Sequence, residues 1–151
     1  MGMDVYGKNP KNKAGEYFRN SCWWWRPLWW YIEAVAPELA KNVPNAQSND
    51  GDGLDATDSI LLAEKIRKDV ESGATERYAR NYKVAQEAMP KEPCQFCGQT
   101  GIRDDAWVKG VCNGCHGSGK RPNRGKYYPF DVANVRDFAL FLENCGGFEI
   151  N

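Results

Sequence analysis

The chain has 151 residues and a mass of 17.1 kDa, the size of one domain or of one domain with a small appended module. Twenty Lys and Arg balance twenty Asp and Glu, which excludes a whole-protein cationic field for gripping nucleic acid but leaves room for a local basic patch. No run of 18 apolar residues exists, and the polar N-terminus lacks the apolar segment of a secretion signal. We therefore expect one cytoplasmic domain over 1–151 with no membrane contact.

The first 20 residues are polar and predict either an ordered arm or a flexible tail. Residues 22–36 hold five of the six tryptophans. A helix is predicted from about residue 26, with Pro27 in its first turn and Pro37 at its end. Its apolar stripe consists of Leu28, Tyr31, Ile32 and Val35. The simpler interpretation is a core helix. Five tryptophans exceed what one helix face can bury, so contact with a ligand or partner is the alternative. The candidate contacts are Trp23, Trp24, Trp25, Trp29 and Trp30.

Residues 42–58 are rich in Asn, Asp and Gly and predict a loop, followed by a helix whose N-cap is Asp55 or Thr57. A calcium loop with Gly53 at its sixth position would place Ser59 where a bidentate Glu is required, so the EF-hand pattern fails. A polar functional loop over 46–58 stays open as an alternative, as a partner contact, a cation site, a small-ligand site or an enzyme site. Its candidate residues are Asp50, Asp52 and Asp55.

Two further helices are predicted over 58–72 and 75–89 from their apolar stripes, and the short connection between them favours a helical hairpin. After the cysteine-rich region, residues 131–143 predict a last helix with Asp131 as its N-cap, and 148–150 a short strand. The predicted fold class is α+β, mainly α, with about four helices. An inserted CxxC/CxxC zinc β-hairpin module over 92–126 completes it.

Four of the six cysteines form two C-x-x-C pairs, separated by the 14 residues 98–111. Two thiolates two residues apart can bind one metal from a tight turn, and two such turns complete a tetrahedron of the kind that Zn²⁺ prefers. The spacer lies at the edge of the usual range of about 15–20 residues. The sequence thus predicts one structural Zn²⁺ on Cys94, Cys97, Cys112 and Cys115, with no open position for catalysis.

The same cysteines allow three alternatives to this zinc site. Paired redox C-x-x-C motifs lack a surrounding βαβ pattern. The run from Cys112 to His116 spells the c-type haem attachment motif, but haem attachment normally requires export and would leave the first pair unused. His116 could replace one cysteine as a zinc ligand, although a surface position is the simpler interpretation. Cys22 and Cys145, far from the pairs in sequence, are expected to be buried free thiols.

Glycines follow both pairs, at Gly98 and Gly101 after the first and at Gly117 and Gly119 after the second. In this pattern residues 92–121 resemble the cysteine-rich repeats of DnaJ-type zinc modules. A full module has four repeats and two zincs, whereas two repeats here imply one zinc. The chain lacks the His-Pro-Asp signature of a J-domain, so the resemblance implies the zinc-hairpin geometry and no co-chaperone activity.

Residues 120–126 read KRPNRGK and carry four positive charges and no negative charge, with two tyrosines directly after them. Basic and aromatic residues together are typical of nucleic-acid binding through phosphate contacts and base stacking. The simpler interpretation is a solvated basic loop. The candidate nucleic-acid contacts are Lys120, Arg121, Arg124 and Lys126.

Catalysis is disfavoured, since the single histidine, His116, lies beside a predicted metal ligand and no carboxylate pair has a fixed geometry. No catalytic residue is therefore assigned. The segments DVYGKNP, GEYFRN, WWWRPL, NDGDGLD and FLENCGGFEI are similar to a family of small uncharacterised bacterial and bacteriophage proteins, over nearly the whole chain. By analogy, this resemblance implies a non-enzymatic binding protein that modulates or inhibits a host or defence protein. The alternatives are a nucleic-acid-binding zinc regulator and a small-ligand binder or enzyme.

Overall fold

The computed structural model describes residues 2–151, which divide into two compact units. The main unit comprises residues 2–83 and 128–151, and the cysteine unit comprises Val84–Tyr127. The predicted inserted module, 92–126, falls inside the cysteine unit. Within the described residues, no helix is both long and apolar enough to cross a bilayer.

Helices dominate the described part of the chain. In order they are α1 (Cys22–Val35), α2 (Pro37–Ala40), α3 (Ala56–Glu71), α4 (Ala74–Ala88) and α5 (Val132–Asn144). The side chain of Asp55 accepts a hydrogen bond from the Asp58 amide and caps α3, and Asp131 caps α5 through the Ala133 amide. With its small antiparallel sheets, the chain is an α+β protein that is mainly α, as predicted.

The main unit contains one antiparallel sheet in the order β2-β1-β7. Its strands are β1 (Gly2–Gly7), β2 (Tyr17–Ser21) and β7 (Phe148–Ile150). Met3 lies opposite Asn20, and Val5 lies between Phe18 on one side and Ile150 on the other. The N-terminal arm is therefore an ordered part of a sheet that joins the two ends of the chain.

The core of the main unit is formed by aromatic and aliphatic side chains from α1, α3, α5 and the sheet. Trp25 stacks on Trp29 with ring centroids 5.6 Å apart, and its indole N–H donates to the carbonyl of Ala46 at 2.7 Å. Both tryptophans are almost fully buried. This contact fixes the loop before α3 against α1 while satisfying a buried donor.

Two local features differ from the predictions, and the structure decides one alternative that the sequence left open. Helix α1 begins at Cys22, so Pro27 lies inside it rather than in its first turn. Pro37 ends α1 but also starts the short α2, where its missing N–H costs nothing. Residues 2–21 form two strands with a 3-10 helix, Lys13–Gly15, between them, which is the ordered arm of the two alternatives that the sequence left open.

The cysteine unit carries four short strands. They are β3 (Glu92–Pro93), β4 (Ile102–Asp104), β5 (Lys109–Val111) and β6 (Lys120–Arg121). β4 pairs with β5 across residues 105–108, and β3 pairs with β6, both antiparallel. A 3-10 helix, Arg124–Tyr127, follows β6.

Candidate metal centre and neighbouring surfaces

The two C-x-x-C pairs converge on one point in the cysteine unit. The four Sγ atoms all lie within 4.8 Å of one another; they belong to Cys94, Cys97, Cys112 and Cys115. Across the pairs, the Sγ atoms of Cys94 and Cys112 are 3.9 Å apart, and those of Cys97 and Cys115 are 3.7 Å apart. Three of the thiols are buried and Cys97 is partly buried, so the four cysteines could together hold one metal ion.

The same pattern of hydrogen bonds surrounds each C-x-x-C pair, and equivalent residues are 18 positions apart. The Cys94 amide donates to the Gly119 carbonyl at 2.9 Å, and the Cys112 amide donates to the Gly101 carbonyl at 2.8 Å. Likewise, the Thr100 hydroxyl donates to the Cys97 carbonyl, and the Ser118 hydroxyl to that of Cys115, both at 2.7 Å. The two halves of the unit thus form equivalent turns, each closed by the other half.

The equivalence of the two turns explains why a glycine follows the first pair one residue earlier than a glycine follows the second pair. Both turns place two successive residues in the left-handed region, with φ of 56° and 73° at Gly98 and Gln99, and of 51° and 81° at His116 and Gly117. Each turn has glycine at one of the two positions, in opposite order. His116 is exposed at a turn position, as predicted for a surface residue.

The thiols of the cluster differ in acidity. Burial raises the pKa of the Cys112 thiol. Burial also acts to raise the pKa of Cys97, but hydrogen bonds from the Gly101 amide and the neighbouring sulfurs outweigh it and lower the pKa. Four thiolates so close together repel one another, and a bound cation would relieve that repulsion and favour their deprotonation.

Phe96 lies at the centre of the repeat, where the equivalent residue of the second half is Gly114. A Cβ on Gly114 would come within 2.6 Å of the Phe96 ring, so only glycine leaves room for it. The guanidinium carbons of Arg103 and Arg121 lie 5.6 and 4.9 Å from the Phe96 ring centroid. These two arginines are themselves equivalent by the 18-residue offset.

The two arginines differ in their polar partners. Arg103 donates to the Asp105 carboxylate at 2.6 Å and to the Asn113 side chain at 3.0 Å. The residue equivalent to Asp105 in the second half is Asn123, which carries no charge. Among the described residues, Arg121 has no ion pair within 4.0 Å.

The four basic residues predicted to contact nucleic acid all lie in the cysteine unit, but only two of them share a cavity. Arg121 and Arg124 line a cleft of about 340 Å³ together with Glu92, Gln95, Tyr127 and two prolines. Lys120 is exposed on β6 outside this cleft, and Lys126 donates to the Glu87 carbonyl at 3.2 Å.

The five tryptophans predicted as partner contacts separate into two groups. Trp25 and Trp29 belong to the core and present no surface to a partner, which corrects the prediction for these two residues. Trp23, Trp24 and Trp30 are 47%, 38% and 38% exposed. The helix periodicity explains this division, since residues 25 and 29 share the face that packs on α5 and the loop at Ala46.

Two of the exposed tryptophans form a surface cluster in the main unit. The rings of Trp23 and Trp30 lie 4.9 and 5.4 Å from the Tyr128 ring, and Arg26 donates to the Tyr128 hydroxyl at 2.6 Å. We name Trp23, Arg26, Trp30 and Tyr128 the tryptophan patch. The sequence predicted its tryptophans, but Tyr128 is distant in the chain and gave no signal of joining them.

The acidic side chains of the loop 46–58 accept hydrogen bonds from groups within residues 42–58. Asp52 accepts from the amides of Asn45 and Gly53, at 2.7 and 3.0 Å, and Asp50 accepts from the Ser48 hydroxyl at 2.6 Å. Asp55 caps α3. Within the described residues, the four cysteines are the one group of three or more His, Cys, Asp or Glu side chains close enough for a shared ion.

Comparison with family models, with curated proteins and with solved structures finds no match to this chain. Function is therefore inferred from the residues of the two units alone.

Proposed function

We propose that this chain is a zinc-stabilised, non-enzymatic binding protein, in which the four cysteines hold one structural Zn²⁺. The observation that carries the proposal is the sulfur geometry. A regular tetrahedron with Zn–S bonds of about 2.3 Å has S–S edges of about 3.8 Å, which is close to the 3.9 and 3.7 Å between sulfurs of the two pairs. Four thiolates fill all positions of tetrahedral zinc, so such a metal stabilises the fold and activates no water.

The binding part of the proposal is supported by the tryptophan patch. Trp, Tyr and Arg are the residue types that dominate binding energy at protein interfaces. Here they are preorganised by ring contacts and by the Arg26 hydrogen bond, which lowers the entropic cost of ordering them on binding. A protein partner is therefore the occupant that the patch favours.

The metal is tested by elemental analysis of the purified full chain and of two cysteine variants. We expect one zinc and no iron per chain in the wild-type protein and in C22S, because Cys22 lies outside the cluster. C112S should lose the zinc, since it removes a buried ligand. Iron in place of zinc, or zinc retained at full stoichiometry in C112S, would contradict the proposed centre.

The binding role is tested by affinity capture with the zinc-loaded chain, with and without nuclease. A nuclease-resistant protein partner should be lost with the double variant W23A/W30A and kept with Y6A, which removes an aromatic ring of similar exposure elsewhere in the main unit. Capture that survives W23A/W30A unchanged would show that the tryptophan patch is not the contact surface.

A further inference from the structure

The cleft beside Arg121 has the composition of a small binding site for an anionic, aromatic ligand. Its volume of about 340 Å³ lies at the lower end of the range of about 300–1,000 Å³ for such sites. Two arginines, one tyrosine, one glutamine and one glutamate supply its functional groups. Because the chain as a whole is neutral, any attraction for an anion has to come from residues placed locally.

Among the described residues, Arg121 makes no ion pair within 4.0 Å, although Glu92 lies opposite it on β3. Its guanidinium lies 4.9 Å from the Phe96 ring centroid, which orients the group while leaving its edge N–H donors available. In the equivalent position of the first half, the Asp105 carboxylate satisfies Arg103 at 2.6 Å. Asn123 replaces that carboxylate in the second half, and Glu92, the cross-strand partner of Arg121, makes no ion pair with it within 4.0 Å.

Asn123 accepts the same kind of backbone hydrogen bond that Asp105 accepts. Asp105 accepts a hydrogen bond from the Trp107 amide at 2.8 Å, and Asn123 accepts one from the equivalent Gly125 amide, also at 2.8 Å. The turn after β6 thus needs an acceptor at this residue, but not a charge. The neutral side chain leaves Arg121 free to bind an external anion.

The other groups of the cleft favour a nucleotide over a simple anion. Among the described residues Arg124 also lacks an ion pair, so it offers a second phosphate contact, and Tyr127 is 55% exposed and offers a ring for base stacking. Glu92 and Gln95 offer hydrogen bonds to the edge of an unpaired base.

From this geometry we infer that the cleft binds single-stranded nucleic acid, with Arg121 and Arg124 on a phosphate and Tyr127 stacked on a base. The inference rests on the proposed zinc centre only for the folding of the cysteine unit. A tetrathiolate zinc centre carries a formal charge of −2, which offsets positive charge elsewhere in the cysteine unit. The affinity for nucleic acid therefore depends on these two arginines rather than on the net charge of the unit.

Binding is measured by fluorescence anisotropy of labelled 12-nucleotide single-stranded DNA and RNA of mixed sequence, with the full chain, over a series of salt concentrations. R121Q should lower the affinity about tenfold and reduce the slope of log K against log salt by about 0.7, the loss of one phosphate contact. N123D should lower the affinity similarly, because it restores next to Arg121 the carboxylate that Arg103 has. K109Q, an equal charge change on the exposed β5, should alter the affinity less than twofold.

Three results would overturn the inference. They are no saturable binding of either oligonucleotide by the wild-type protein at 50 mM salt, wild-type affinity in both R121Q and N123D, or an equal loss in K109Q. Preference for a polyglutamate peptide over both oligonucleotides would also overturn it. Zinc content and the circular dichroism spectrum are measured on every variant. A folded wild-type chain without zinc contradicts the proposed function, and the comparison of folded variants still decides the cleft.

Discussion

At the scale of single residues, the cysteine cluster depends on two glycines, Gly101 and Gly119, at which the backbones of its two halves lie against each other. Gly101 has a φ of 76°, and a Cβ there would lie 2.3 Å from the Gly117 carbonyl oxygen. Gly119, the equivalent residue, has a φ of 70° and would place a Cβ 2.2 Å from the Gln99 carbonyl oxygen. Since both obstacles are backbone atoms, a side chain at either position requires the two turns to separate.

The substitution G101A tests this crossing, with G98A as its matched control. Both residues have a positive φ, so each alanine incurs left-handed strain of about 1–2 kcal/mol. A Cβ on Gly98 meets no atom within 4 Å, whereas one on Gly101 meets a carbonyl oxygen. We expect G98A to weaken zinc affinity about tenfold and G101A to weaken it at least a hundredfold, measured by competition with a chromophoric chelator. Equal affinities would show that the crossing of the turns is not rigid.

The sequence identified the four cysteines because ligand spacing is a local property of the chain. The glycines of the two turns are visible in the sequence, but the equivalence of the turns is not. One left-handed position in each turn is occupied by a residue other than glycine, Gln99 in the first and His116 in the second. A comparison of residues 18 positions apart shows that Arg103 pairs with Asp105, whereas the equivalent Arg121 has Asn123 in place of that carboxylate. That offset is readable in the sequence only once the cysteines are aligned pair on pair.

At the scale of helices and strands, Tyr31 connects three helices of the main unit. It lies on α1, and its hydroxyl is 2.9 Å from the Thr75 hydroxyl on α4 and donates to the Asp69 carboxylate on α3 at 3.4 Å. All three side chains are buried. Burial, opposed by the Thr75 hydrogen bond and reinforced by the charge of Asp69, raises the pKa of Tyr31 to about 12.

This raised pKa predicts a loss of stability at alkaline pH. Below pH 10 the tyrosine is protonated in both the folded and the unfolded chain, and its contribution to the free energy of unfolding is constant. As the pH rises from about 10 to about 12, the unfolded chain releases the proton while the folded chain retains it. Folding should therefore lose about 2–3 kcal/mol from this group over that window.

Urea unfolding followed by circular dichroism at pH 9 to 12 measures this loss. Y31F should be about 1 kcal/mol less stable than the wild-type protein at pH 9, because it removes the hydrogen bonds of the hydroxyl. Its stability should then fall less steeply above pH 10. Y6F, which alters an exposed ring, serves as control, and identical pH profiles for the wild-type protein and Y31F would refute the assignment.

The four longer helices were predictable because their apolar residues recur at helical spacing, and Asp55 and Asp131 precede α3 and α5 as N-caps. The sheet was not, since β1 pairs with β2 about 15 residues away and with β7 at the far end of the chain. Met3 and Val5, buried at alternate positions of β1, were the available signal. The buried face of α1 was not predictable, because its five tryptophans, in the two runs 23–25 and 29–30, point to several sides of that helix.

At the scale of the whole molecule, the two units differ in what holds them together. The main unit has a large cluster of buried apolar side chains. In the cysteine unit, the buried hydrophobic cluster among the described residues consists of the cysteines alone. Several of its other large apolar side chains are exposed, with Ile102 at 62%, Val111 at 69% and Trp107 at 88%. Under the proposed zinc centre, the cysteine unit therefore depends on the bound metal for its folding free energy, whereas the main unit depends on apolar burial.

Removal of the metal should consequently unfold one unit and leave the other folded. Binding of structural zinc supplies about 10–16 kcal/mol in small metal-dependent domains, more than the short strands of the cysteine unit can replace. With a zinc chelator, hydrogen exchange should become fast for the amides of Cys94 and Cys112, whose acceptors belong to the opposite turn, and stay slow for α3 and α5. Added zinc should restore protection, and protection that persists in the cysteine unit without metal would show that the turns fold on their own.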